Sequence, residues 1–205
     1  MGGVKLERKE YSAGTVKLSF WFSEFRKVIQ LLNSGKAMEE IKAMNIEENI
    51  FAAPTAARAI QIFNTVSARV KSLDVSFYEL FEKSDVATQK LIALLAVMKT
   101  DSLFFDFIYE VYREKLIIGS NRISDTNIRI FFKDKQLQSE KVAKWTDYTL
   151  KRLGACYKTM LMEAGVTDRA SGDRELLKPI LDNALEKCMR DNSMELFIHA
   201  LTGVR

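Results

Sequence analysis

The chain has 205 residues, of which 47% are apolar and 28% charged, with 31 Lys and Arg against 27 Asp and Glu. Such an apolar share excludes a disordered chain, and two cysteines with a single histidine speak against a disulfide-built or zinc-built fold. A net charge of +4 and a pI near 9.0 are a mild basic bias, which permits a polyanionic partner without requiring one.

Two prolines, nine glycines and apolar residues spaced by three and four predict an all-α fold of about nine or ten helices. Residues 1–14 read as a polar lead-in with no signal-peptide core. A first helix is expected over Thr15–Asn33, with Phe22, Phe25, Ile29 and Leu32 on one face and Gly35 as its stop. A short helix over Ala37–Met44 follows, then an irregular link through Asn49 and Pro54. Thr55 can cap the next helix, which turns Ile62, Phe63, Val66, Val70 and Leu73 inward. Asp74 and Ser84 are the next expected caps. The helices they open carry Phe77, Leu80 and Phe81, then the apolar run Leu91–Met98. Eight residues are too few to cross a bilayer, which takes about 20, so that run predicts a core helix.

Asp101 or Ser102 restarts the chain into an aromatic-rich helix that Gly119 and Asn121 break. Phe104, Phe105, Phe107, Tyr109 and Tyr112 are expected in the core rather than stacked on bases. Ser124 caps a helix to about Lys135. A basic helix then spans Ser139–Gly165, with a kink expected at Trp145–Thr146. Residues 166–178 read as a loop that can hold a short hairpin, and two last helices cover Ile180–Arg190 and Ser193–Leu201. A soft boundary near Gly119–Ser124 suggests subdomains 1–120 and 121–205, although a single domain fits as well. Helix, turn, basic helix and wing-like loop in that order resemble a winged helix-turn-helix half.

Charge gives the clearest functional lead. Lys144, Lys151 and Lys158 recur every seven residues, a spacing that drifts by only about 20° per step on a helix. Lys141 and Arg152 stand beside them, while Val142, Leu150, Leu153, Tyr157, Met160 and Leu161 fall on the other side. Such a basic front can displace counterions from nucleic acid. It can equally be a solvated face, diluted by Glu140 and Asp147. Arg58 and Arg69 on an earlier helix can reach phosphate or serve the fold by pairing with Glu47, Glu48 or Asp74. Cys156 and Cys188 fall at apolar helical positions and are expected as free thiols. No nucleotide-binding, zinc-protease or other catalytic signature is present, so neither an enzyme, a cofactor nor a metal site is expected.

Four stretches resemble one known family: FWFSEFRKVIQLLNSGKAMEEIK, IEENIF, ARAIQIFNTVSARVKSLD and KWTDYTLKRLGACYKTMLMEAGV. In this order, over roughly residues 12–170, they are similar to the BrxA family, a small component of BREX phage-exclusion systems. The resemblance implies an all-helical, cytoplasmic, non-catalytic protein that works beside a methyltransferase, an ATPase and other defence proteins. It also implies likeness to helical nucleic-acid-binding proteins of the NusB type, and double-stranded DNA as a partner. Arg26, Asn49, Arg58, Arg69, Lys144, Lys151 and Arg152 lie in the matching blocks. Two other readings stay open: a helical adaptor for other BREX proteins, and an RNA-binding protein.

Overall fold

The computed structural model of the chain describes residues 10–204, so most of the polar lead-in expected over 1–14 lies outside the described residues. The chain divides into two compact units. One is Trp21–Thr100; the described part of the other is 10–20 together with 101–204.

The Trp21–Thr100 unit holds α1 (Phe22–Asn33), α2 (Met38–Glu48), α3 (Ala56–Lys71), α4 (Ser76–Lys83) and α5 (Val86–Thr100). All eight residues of Leu91–Met98 are buried, and α5 packs on α1, α3 and α4 as a core helix should. Thr55 caps α3 as expected, its hydroxyl accepting from the Arg58 N–H at 3.2 Å. The helix expected from Thr15 is corrected: α1 begins only at Phe22. Trp21 stops it from extending upstream, because its φ of 53° puts a bulky residue in the left-handed region, where the surrounding packing must hold it. A second correction concerns the start of α5. Asp85, not Ser84, caps it by accepting from the Thr88 N–H at 2.7 Å, and Ser84 ends α4.

The other unit opens with a 3-10 turn, Ala13–Lys17, then α6 (Ser102–Phe107), a π-type turn (Ile108–Tyr112) and α7 (Arg113–Ile117). Next come β1 (Arg122–Ile123), α8 (Asp125–Gln138), α9 (Glu140–Ala143), α10 (Asp147–Glu163), β2 (Arg174–Glu175), α11 (Asn183–Asp191) and α12 (Glu195–Thr202). Tyr157 of α10 packs its ring 4.9 Å from Phe104 and 5.4 Å from Phe107, so the aromatics of α6 form core as expected. The break expected near residue 120 falls inside this unit, since the turn Ile108–Tyr112 packs on α8 and on α12.

Residues 166–178 include a hairpin. Thr167 bridges Leu176, and Leu177 N–H donates to the Val166 carbonyl at 2.9 Å. The returning arm also pairs with β1, antiparallel, with Arg122 opposite Glu175 and Ile123 opposite Arg174. Helix, strand, the three helices α8, α9 and α10, and a hairpin whose return strand lies between its own first arm and β1 follow the order of a winged helix-turn-helix, with the four-residue α9 in the turn between the two longer helices. Arg174 fastens the wing from within. Its guanidinium is fully buried and donates to the Ile123 carbonyl at 3.1 Å, to Asp125 at 2.6 Å and to the Gly172 carbonyl.

Candidate nucleic-acid interface

Between residues 121 and 177, the winged region, eleven Lys and Arg face eight Asp and Glu, so three of the chain's four excess positive charges lie there. The apolar back expected for the basic helix is real: Val142, Leu150, Leu153, Tyr157, Met160 and Leu161 are all buried. Its continuity is not. The chain breaks at Trp145–Thr146, where Thr146 caps α10 by accepting from the Thr149 N–H at 3.2 Å. Lys144 therefore sits at the end of α9, whereas Lys151 and Lys158 share one side of α10.

Lys151 and Lys158 line a groove of about 490 Å³ between α8 and α10. Ile128, Phe132, Leu150 and Gly154 form its apolar floor, and Arg129 and Lys133 stand on the α8 rim. Gly154 lets the two helices approach, because a Cβ there would meet Ile128 Cγ2 at 3.0 Å. Two rim cations are already engaged. Lys158 pairs with Asp125 at 3.1 Å, and Lys133 with Asp147 at 3.4 Å. The hydrogen bond from Arg174, joined by that from Lys158, holds the Asp125 carboxyl below the usual carboxylate range. Arg129 donates to the Thr126 hydroxyl at 2.8 Å, and Lys151 forms no ion pair among the described residues.

Arg152 lies on the other flank of α10. It donates to the Tyr148 hydroxyl at 3.2 Å and to the Val16 carbonyl at 3.3 Å, and so ties the helix to the 3-10 turn. Lys141 is exposed and pairs with Glu10 at 2.8 Å. Between the groove and the 3-10 turn, Tyr148, Lys151, Arg152 and Ala155 make an exposed face on the first turns of α10.

In the Trp21–Thr100 unit the candidates are placed differently. Arg58 and Arg69 both stack on the Trp21 ring, at 4.9 and 5.9 Å from its centroid. Arg69 is only 3% exposed, and Arg58 is half-buried with a 2.7 Å hydrogen bond to Gln61. Arg26 is exposed on α1. Asn49 ends α2 with φ 49°, and its side chain closes the link by bonding the Ala53 backbone at both N–H and C=O.

Sequence reasoning missed Arg129 and Lys133, although their spacing of four on a helix capped by Ser124 would have found them. It also missed the Arg174–Asp125 anchor, for which the sequence carries no periodic signal. Among the described residues no group of three or more His, Cys, Asp or Glu is gathered where it could hold a metal ion. None of the described helices is long and apolar enough to cross a membrane. Both cysteines are free.

A family model, BrxA, matches residues 9–193. The chain belongs to the BrxA family. It is 39% identical over 182 residues to the BREX protein BrxA of Bacillus cereus (strain H3081.97), covering 89% of this chain and 91% of that one. Its fold is also similar to the crystal structure of an uncharacterized protein from Magnetospirillum magneticum, with a TM-score of 0.78 and 16% identity over 96% of this chain and all of that one.

Proposed function

We propose that this BrxA protein is a non-catalytic, cytoplasmic component of a BREX phage-exclusion system that binds duplex DNA through its winged helix-turn-helix. The observation that carries the reading is the exposed face at the start of α10, where Lys151 and Arg152 project between the α8–α10 groove and the 3-10 turn. In this class of fold the second helix of the pair enters the major groove by its N-terminal residues. Arg129, Lys144 and Lys151 are exposed and suit phosphate, and Lys133 can exchange Asp147 for phosphate at little cost, because that pair is surface-exposed. With four such contacts, log affinity falls against log salt with a slope of roughly −3.6. The Lys144→Glu, Lys151→Glu double variant tests this in a gel-shift titration. We expect duplex affinity to fall at least tenfold with an unchanged helical circular dichroism spectrum. Equal affinity in the two proteins would remove α10 from the interface, and stronger competition by RNA than by duplex would replace DNA with RNA as the partner.

A docking role for other BREX proteins is favoured by a separate observation. Ile130 and Leu137, two turns apart on α8, are 53% and 88% exposed. Leu137→Glu should then release a partner whose co-purification survives nuclease and high salt, while leaving duplex affinity unchanged.

A further inference from the structure

We propose that Arg152 reads guanine in the major groove, so that binding carries a sequence preference beyond the phosphate contacts. The inference rests on the reading of α10 as the DNA-facing helix.

Three observations single out this side chain. First, it stands on the second turn of α10, on the exposed face beside Tyr148 and Lys151. That is the stretch of a recognition helix from which base edges are reached. Second, its guanidinium is held before any ligand arrives. It lies 6.0 Å from the centroid of the Tyr148 ring, donates through Nη1 to the Tyr148 hydroxyl and donates through Nη2 to the Val16 carbonyl. A long, flexible side chain is thus fixed in one direction, which lowers the ordering cost of a specific contact. Third, donors remain. A guanidinium carries five N–H groups, and those two bonds use one each on Nη1 and Nη2. The Nε–H and the second hydrogens of both Nη atoms can still form the planar fork that matches guanine O6 and N7. Neighbouring Lys151 has no such fork. Its ammonium is a mobile point charge on the groove rim, suited to phosphate.

The chemistry gives a test that leaves the protein untouched. Replacing guanine by 7-deazaguanine removes the N7 acceptor and keeps Watson–Crick pairing. Duplexes with a randomised core are first enriched on the wild-type protein and on Arg152→Lys. We expect the wild type to enrich guanine at one position, and Arg152→Lys to bind with a similar salt slope but without that enrichment. The enriched duplex carrying 7-deazaguanine at that position should bind wild type about tenfold more weakly and Arg152→Lys equally well. Enrichment without guanine, guanine enrichment that survives in Arg152→Lys, or indifference to 7-deazaguanine would each overturn the inference. Duplex binding with a normal salt slope but no base preference overturns it while the DNA-binding reading stands. Absence of any duplex binding overturns both.

Discussion

Arg58 and Arg69 of the Trp21–Thr100 unit and the cations of α10 carry the same charge in opposite surroundings. The two arginines lean on one indole, with Arg69 almost wholly removed from solvent. On α10, Lys151 and Arg152 stand in water over an apolar back that is fully buried. A guanidinium stacked on Trp21 contributes to the fold, in part through its stem and its ring contact. An exposed ammonium contributes little to stability and remains available to a phosphate. Burial, not charge, separates a cation that holds the fold from one that can hold a ligand.

Lys135 sharpens that comparison, because it lies on α8, inside the winged region, and yet its side chain is 3% exposed. It bonds Asp106 at 3.1 Å and Glu110 at 2.6 Å, and Asp106 also accepts from the Tyr11 hydroxyl. Burial pulls the Lys135 pKa down, but the bonds to Glu110 and Asp106 outweigh it and leave it raised. A raised folded pKa means that the contribution to stability is complete below the unfolded lysine value, about 10.4, and is lost as pH rises through the folded value. Lys135→Ala leaves the Asp106 carboxylate buried without its cation and should cost about 3–5 kcal/mol in denaturant unfolding. A cost below 1 kcal/mol would break the rule that burial decides the role.

A paired measurement comes next in size. Arg69→Ala should lose about 2 kcal/mol of stability through stem packing and the Trp21 contact, with duplex affinity per folded molecule unchanged. Lys151→Ala should do the reverse, changing unfolding by less than about 0.5 kcal/mol while weakening binding and flattening the salt slope by about 1. If Arg69→Ala lowers affinity at constant stability, the division between the two regions fails.

The smallest effect concerns the wing. Asp125→Asn removes the anion shared by Arg174 and Lys158 and should cost about 1–2 kcal/mol at neutral pH, since Arg174 keeps two carbonyl partners. The Asp125 pKa is lowered in the fold, so its contribution is present above the unfolded aspartate value, about 3.9, and disappears as pH falls through the folded value. The stability gap between wild type and Asp125→Asn, followed by chemical unfolding, should be flat above pH 5 and narrow below pH 4. A gap independent of pH would mean that the carboxylate's charge is not what fastens the wing.

By itself the sequence determined the helical class, the caps at Thr55 and Ser124, the buried run Leu91–Met98 and the apolar back of α10. These depend on neighbours within one or two turns, where period and capping chemistry are local. Tertiary structure alone decided that Trp21 interrupts the first helix, that Arg69 is buried, that Lys158 is already paired, and that residue 174 ties a hairpin to the start of α8. Each of those outcomes joins residues tens of positions apart or overrides a local preference. Linear spacing places a charge on a helix face, but only packing decides whether that face meets water, an indole or a carboxylate.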